Sequence, residues 1–193
     1  MKTLAVHAWP GPAPAPLDGL FVLFVRTAPR RDAARLEIRR AAREALALVL
    51  DLAVDDITIA STPGAPPRIL VAGEARAIGC SFAHEDGYAL AAINLHGAVG
   101  VDLMRVRDIP DWQAVAHDYL GPAASAALQA TSADERPRAF AQAWTRREAA
   151  LKRDGQQLGE WKFDINDATT MLSLPVAELV GCVALPPQKV ILW

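Results

Sequence analysis

The sequence has few cysteines, little net charge and no long apolar run, and each of these shortages excludes a class of protein. Its 193 residues contain two cysteines, Cys80 and Cys182, which are too few for a disulfide framework and lack the spacing of a metal site. We interpret both as small core residues with reduced thiols. The formal net charge of −2 argues against a general nucleic-acid-binding protein.

Apolar stretches are too short to place the chain in a membrane. None reaches the roughly 18 consecutive apolar residues that a membrane span requires. The N-terminal MKTLAVHAW runs into the proline-rich WPGPAPAP before the apolar core of a signal peptide can form. Apolar residues make up 52% and charged residues 22%, as in an ordinary globular chain. These features predict a cytoplasmic protein with one large domain or two small ones.

The spacing of apolar residues predicts helices and strands in both halves of the chain, and therefore an α+β fold. GLFVLFVR predicts a buried strand over about residues 20–26, and the next segment predicts a helix from about Asp32, its expected N-cap, to Leu50. SFAHEDGYALAAINL predicts a strand pair with a turn near residues 85–87. The other predicted elements are short strands in DITIA and RILVAG, a strand over about 99–106, helices over about 111–119, 122–130 and 134–154, and closing strands in WKFDI, TMLSLPV, LVGCVAL and KVILW.

Two acidic residues occupy unusual positions in these elements. Alternation along the strand near the middle of the chain points Asp102 and Met104 to one face, which places an acid inside a strand. On the long helix, Glu148 lies one turn past Trp144 at the edge of the apolar stripe, and Lys152 lies one turn further on. Glu148 and Lys152 alone can form an exposed ion pair worth roughly a few tenths of a kcal/mol. The alternative is that Glu148 binds a divalent cation together with a carboxylate from elsewhere in the chain.

Arginines crowd the helix that is predicted after the first buried strand. This segment contains Arg30, Arg31, Arg35, Arg39, Arg40 and Arg43. Glu37 and Glu44 offset only part of the positive charge. Two interpretations stay open: a solvated helix face, or a surface that binds a polyanion.

Three separated segments together carry a recognisable pattern: SFAHEDGYALAAI, VGVDLMRV and AWTRREAALKRDG. Their order and spacing resemble the three signatures of the 4′-phosphopantetheinyl transferases. That family has roughly a Ser-x-x-His before an apolar strand, a Gly-x-Asp strand, and a helix with Trp-Ser/Thr-x-Lys-Glu-x-x-x-Lys. The segment ARLEIRRAAREAL also resembles the family's N-terminal helix. The chain most resembles the surfactin-synthetase-activating type, with two fused similar halves, and the resemblance covers about residues 30–160.

This resemblance implies an α+β fold in a pseudo-twofold arrangement of two similar halves, residues 1–98 and 99–193, each a small sheet packed with a long helix. It implies a monomeric enzyme that binds coenzyme A in the cleft between the halves. The enzyme would transfer the 4′-phosphopantetheine group of coenzyme A to a serine of an apo acyl or peptidyl carrier protein. Asp102 and Glu148 would bind Mg²⁺, with pyrophosphate oxygens and water completing the shell, because this hard cation favours oxygen ligands.

The same resemblance gives roles to further residues. His84 matches the family's phosphate-contacting His, and Lys152 matches a Lys assigned either to deprotonation of the serine or to phosphate contact. Arg147 stands where the motif has a Lys and can bind phosphate. Arg31 and Arg35, on the arginine-rich helix, are candidates for binding the 3′-phosphate of coenzyme A.

The chain departs from the family pattern at two positions. Met104 stands where the family often has a second acid on the Asp102 face, so a water would replace that ligand. Pro66 stands where a Gly-Lys-Pro segment would have its Lys, and Arg68 is near enough in sequence to substitute. These departures keep open a rival interpretation, a noncatalytic homologue that binds coenzyme A or carrier protein. A Mg²⁺-dependent phosphohydrolase is a third, which leaves the His, Trp and Lys motifs unexplained.

Overall fold

The protein folds as two four-stranded sheets with a long helix against each, and a small third sheet. The computed structural model describes residues 3–162 and 168–187. Its strands are β1 (Thr3–Ala5), β2 (His7–Trp9), β3 (Leu20–Arg26), β4 (Ile57–Ala60), β5 (Arg68–Val71), β6 (Glu74–Ala75), β7 (Gly79–Glu85), β8 (Tyr88–Asn94), β9 (Gly100–Arg105), β10 (Thr169–Ser173) and β11 (Leu179–Ala184). Its helices are α1 (Arg31–Leu50), α2 (Trp112–Val115), α3 (Pro122–Ala130) and α4 (Arg136–Arg153). Among the helices in these residues, none combines the length and the apolar character of a membrane span.

The two large sheets give the fold two similar halves, which confirms the predicted α+β class. The first sheet has the strand order β2-β3-β8-β7 and packs against α1. The second has the order β1-β10-β11-β9 and packs against α4. In each half one strand leads through the long helix to an antiparallel strand pair, with β3, α1 and β7–β8 in the first and β9, α4 and β10–β11 in the second. The third sheet, β4-β5-β6, lies beside α1.

The N-terminal segment contributes a strand to each large sheet. β1 pairs in parallel with β10, and β2 pairs in parallel with β3. Residues 3–5 therefore belong by pairing to the sheet of the second half. The division of the chain after residue 98 stays a prediction.

The buried strand β3 explains how the halves pack, because its two faces enter different hydrophobic clusters. Phe21 and Leu23 pack with Ile38 of α1 between the first sheet and its helix. Val22 and the other residues of the opposite face pack with Val183 of the second sheet. A continuous apolar run is what a strand covered on both faces requires.

The predicted bounds agree with the structure where apolar periodicity is strong, at β3 and α3. The N-cap prediction for α1 was wrong: Arg30 occupies that position without a side-chain capping bond, and Asp32 lies in the first turn, where its charge favours the helix N-terminus. Residues 111–119 form α2 followed by a π-helical turn over 116–120. KVILW and residues 163–165 of the WKFDI prediction lie outside the described residues.

A glycine lets β9 approach α4 closely. A Cβ atom on Gly100 would lie 1.8 Å from the carbonyl oxygen of Ala149 and 2.5 Å from the amide nitrogen of Arg153. Both of those atoms belong to the backbone of α4, so neither can rotate away. The glycine of the Gly-x-Asp segment therefore sets the distance between the strand that carries Asp102 and the helix that carries Glu148.

Candidate active site

A cleft of about 660 Å³ lies where β7 and β9 meet the N-terminal end of α1 and the middle of α4. It contains six of the eight residues that the sequence predicts for the site: Arg31, Arg35, His84, Asp102, Glu148 and Lys152. These six come from four elements that are distant in sequence. The remaining polar lining consists of Glu85 and Arg107, and an apolar wall is formed by Met104, Ile109, Val115, Phe140 and Trp144.

Asp102 lies on β9 at the floor of the cleft and is 8% exposed. Burial raises the pKa of its carboxyl group to about 6, against the opposing effect of the Lys152 ammonium and of a hydrogen bond from the Leu103 amide. The negative charge of nearby Glu148 acts in the same direction as burial on the pKa of Asp102. The carboxylate of Asp102 is thus ionised at neutral pH, and the ammonium group of Lys152 balances its charge at short range.

Lys152 joins the two halves at this floor. Its Nζ atom donates to Asp102 Oδ1 at 2.7 Å, to the Val101 carbonyl oxygen at 3.2 Å and to the Phe82 carbonyl oxygen at 3.5 Å. Phe82 belongs to β7 and Val101 to β9, so the ammonium group spans the gap between these strands. Lys152 therefore forms its salt bridge with Asp102, which lies fifty residues earlier in the chain. The expected i,i+4 ion pair between Glu148 and Lys152 does not form within the described residues.

Glu148 faces the same cleft from α4. Within the described residues its carboxylate has neither an ion pair nor a side-chain hydrogen bond, although it is close enough to Asp102 to affect the pKa of that group. The described residues hold no group of three or more metal-ligating side chains. Two facing carboxylates do not form a closed metal site, but they fit a cation that takes its remaining ligands from water and a bound phosphate.

Aromatic packing holds the helix that carries Glu148 and Lys152. Trp144 stacks on Phe140 with ring centroids 5.9 Å apart and lies 6.1 Å from the ring of Tyr119. Met104 of β9 packs into the same cluster. The motif tryptophan is therefore part of the apolar wall that fixes α4 beside the cleft.

His84 lies at the cationic end of the cleft, on β7. Its Nε2 atom is buried and has no hydrogen-bond partner in the described structure. Burial lowers the pKa of His84 to about 4, and the positive charges of Arg35, Lys152, Arg31 and Arg39 lower it further. The imidazole is consequently neutral at pH 7, and an unpaired ring nitrogen is available to a ligand.

Two predicted residues do not line the cleft. Arg68 begins β5 in the third sheet, and Arg147 precedes Glu148 on another side of α4. The loop that contains Pro66 instead lines a smaller cavity of about 250 Å³ on the other side of Lys152, together with Ser81.

Sequence reasoning missed three residues near this site. Arg107 and Glu85 line the cleft, and Ser81 accepts a hydrogen bond from the Val101 amide at 3.1 Å. Arg107 had a detectable signal, since it is a cation shortly after the strand that carries Asp102. The contacts of Ser81 and Glu85 depend on which strands lie side by side, which the local sequence does not reveal.

Comparison with known proteins agrees with this geometry. Residues 98–175 match the model of the family described as the 4′-phosphopantetheinyl transferase superfamily. A protein of Synechocystis sp. named "Putative 4′-phosphopantetheinyl transferase" is 31% identical over 121 residues, which cover 63% of this chain and 49% of the relative. The chain thus spans about half the length of this curated relative. The residues matched by the family model include Asp102, Glu148 and Lys152, so the part of the chain that lines the second half of the cleft is similar to the 4′-phosphopantetheinyl transferase superfamily.

Proposed function

We propose that this protein transfers the 4′-phosphopantetheine group of coenzyme A to a serine of an apo carrier protein, in a Mg²⁺-dependent reaction. The observation that carries the proposal is the meeting of His84, Asp102, Glu148 and Lys152 in one cleft. We further propose the two-half, monomeric type of the family, because both halves of a single chain already contribute to the cleft. We also propose a cytoplasmic setting, because two cysteines that are both buried as small core residues are too few for the disulfide framework typical of secreted proteins.

The charge distribution in the cleft supports an orientation for coenzyme A. Arg31 and Arg35 offer cationic donors to the 3′-phosphate. A neutral His84 can donate one ring N–H to a phosphate oxygen, which would satisfy the nitrogen that has no partner in the described structure. Arg68 and Arg147 are not included in this proposed site because they do not line the cleft.

Asp102 and Glu148 are the groups that would hold Mg²⁺, which when bound would offset negative charge on the pyrophosphate. Both carboxylates face the cleft, and Met104, on the same strand as Asp102, offers no oxygen ligand. Lys152 keeps Asp102 ionised and adds a second positive charge beside the pyrophosphate position. The protein's part in the chemistry is thus to position the phosphates and to balance their charge.

In the transfer, the serine oxygen of the carrier forms a bond to the β-phosphorus, and the bond from that phosphorus to its bridging oxygen breaks. The leaving group is 3′,5′-adenosine bisphosphate, and the serine proton needs an acceptor. Lys152 already donates to three oxygen atoms, so its nitrogen has no lone pair for a proton in this arrangement. We therefore propose Glu148 as the proton acceptor, with Lys152 as the alternative once it is released from Asp102.

Two other functions predict different outcomes in the same assay. A noncatalytic homologue would bind coenzyme A or carrier protein without transfer, and Met104 is the residue that favours this candidate. A Mg²⁺-dependent phosphohydrolase would cleave coenzyme A without any carrier protein.

Incubation with labelled coenzyme A and a panel of apo carriers tests the proposal. The panel contains fatty-acid, polyketide, peptide-synthetase and lysine-pathway carriers, each paired with a variant in which the acceptor serine is alanine. We expect label on at least one carrier, only when its serine is present and Mg²⁺ is supplied. Binding of coenzyme A without labelling of any carrier would favour the noncatalytic homologue, and carrier-independent cleavage would favour the hydrolase.

A further inference from the structure

The two sheets meet along a seam between β7 and β9 in which side chains replace a backbone ladder. Among the described strands, β7 pairs with β8 and β9 pairs with β11, so β7 and β9 face each other as edges. The Val101 amide donates to Ser81 Oγ at 3.1 Å, and the Arg105 amide donates to Glu85 Oε2 at 2.9 Å. Each bond joins residues twenty positions apart, which fixes one parallel register for the two strands.

The free edge of β9 is also the edge that carries the catalytic groups of the proposed function. The Val101 carbonyl oxygen accepts from Lys152, and the Leu103 amide donates to the Asp102 carboxylate. Ser81 therefore holds the residue directly before Asp102, the same residue whose carbonyl oxygen accepts from Lys152. A shift of β9 relative to β7 would therefore move the Val101 carbonyl, the Asp102 carboxylate and the Leu103 amide together.

Ser81 also preserves the gap that Lys152 occupies. Strands joined by a backbone ladder lie about 4.8 Å apart, which leaves no room for an ammonium group between their carbonyl oxygens. A bond through a serine side chain satisfies the Val101 amide at a larger strand separation. Without this acceptor the buried amide either stays unpaired or moves β9 toward a new partner, since buried amides are rarely left without one.

We infer that Ser81 is a positioning residue for phosphopantetheine transfer, which acts by fixing β9 so that Asp102 and Lys152 keep their geometry. Ser81 is 4% exposed and does not line the main cleft, so its effect passes through the Val101 amide and not through the substrate. The inference rests on the proposed function. It assigns the motif serine a task different from that of His84, three residues further along β7.

The test compares Ser81→Ala with Ser81→Thr, which keeps a hydroxyl acceptor, and with Ile57→Val, a truncation in the buried part of the third sheet. In Ser81→Ala we expect kcat to fall by about tenfold to a hundredfold, the size of loss that a small displacement of reacting groups causes, while KM for coenzyme A changes by less than about twofold. KM for coenzyme A should stay nearly unchanged because Arg31 and Arg35, the arginines proposed to bind its phosphate, lie on α1. Ser81→Thr should recover most of kcat, and Ile57→Val should keep it despite a lower melting temperature.

Amide hydrogen exchange gives a second measurement that does not depend on activity. In Ser81→Ala the Val101 amide should exchange faster, whereas amides in the β9–β11 ladder should keep their protection. Unchanged Val101 exchange, or a kcat loss in Ile57→Val equal to that in Ser81→Ala, would overturn the positioning role. Wild-type protein that labels no carrier would overturn the proposed function instead, so the two failures are distinguishable.

Discussion

At the scale of single residues, the floor of the cleft is controlled by a buried charge balance. Asp102 has most of its surface removed from water, which raises the pKa of its carboxyl group to about 6. Lys152 counteracts this effect at 2.7 Å. Removing either partner leaves the other charge without compensation in a site with little water, which is destabilising. The acid in the strand and the lysine on the distant helix therefore stabilise each other.

His84 supplies a prediction about pH at this scale. Because burial and the neighbouring arginines lower its pKa to about 4, its ring signals in an NMR titration of the free protein should stay constant from pH 8 down to about 5. The folded state then binds this proton less tightly than the unfolded chain, so the contribution of His84 to stability is lost as pH falls from about 6.5 toward 4.

Ligand binding should reverse the direction of the His84 shift. An adenosine bisphosphate bound beside Arg31 and Arg35 adds negative charge near the ring, which should raise the pKa of His84. A midpoint near 6.5 in the free protein, or no change on addition of 3′,5′-adenosine bisphosphate, would contradict the assignment of His84 to the phosphate end of the cleft.

At the scale of elements, the close approach of β9 and α4 brings the two carboxylates together. Gly100 allows this approach because its hydrogen faces the backbone of α4. The sequence shows a glycine two residues before the aspartate, but the contact that requires it becomes visible only when strand and helix are packed. Family resemblance predicted the pair of residues, and the packing supplies the physical reason for their spacing.

Gly100→Ala is the variant that tests this contact. The added methyl group would meet two backbone atoms of α4, so we expect the free energy of unfolding, measured by urea denaturation, to fall by about 1–3 kcal/mol, with a loss of transfer activity. Gly159→Ala is the matched control, because a Cβ atom there meets nothing within 4 Å. Equal stability of the two variants would show that the close approach does not constrain the helix.

The local sequence predicted many helices and strands, but it predicted few of the contacts between elements that are distant in the chain. The strand β3 and the helices α1 and α3 were predicted correctly, because the spacing of apolar residues along the sequence indicates which side of an element is buried. The N-terminal strands β1 and β2 were not predicted, since each is a strand only through pairing with a distant partner. For the same reason the Lys152–Asp102 pair was missed, and Arg68 was expected at a cleft from which the third sheet holds it away.

At the scale of the whole molecule, the two halves supply groups of mainly different charge to the cleft, with Glu85 of the first half and Arg107 of the second as additional charged residues. Arg31, Arg35 and His84 lie at one end, and Asp102 and Glu148 lie at the other. A coenzyme whose charged nucleotide and uncharged pantetheine arm are joined by a pyrophosphate matches this division. The pyrophosphate would then lie near the seam, where Lys152 contacts both halves.

The arginines provide a test of this orientation. Replacing both Arg31 and Arg35 with alanine should raise the apparent KM for coenzyme A strongly and affect 3′-dephospho-coenzyme A much less. Arg76→Ala, an exposed arginine next to the third sheet, is the control and should leave both constants unchanged. An equal loss for the two coenzymes would mean that the pair contacts another part of the ligand or supports α1.

The measurement that tests the central claim most directly is the intact mass of an apo carrier protein incubated with coenzyme A and Mg²⁺. Wild-type protein should add the mass of one phosphopantetheine group per carrier and release an equal amount of 3′,5′-adenosine bisphosphate. Asp102→Asn and Glu148→Gln, which keep side-chain shape but remove the charge, should slow this conversion by at least about a hundredfold while the circular dichroism spectrum stays native. Asp134→Asn, an exposed acid before α4, is the control and should convert the carrier as fast as wild type. Conversion at the wild-type rate by either cleft variant would contradict the account.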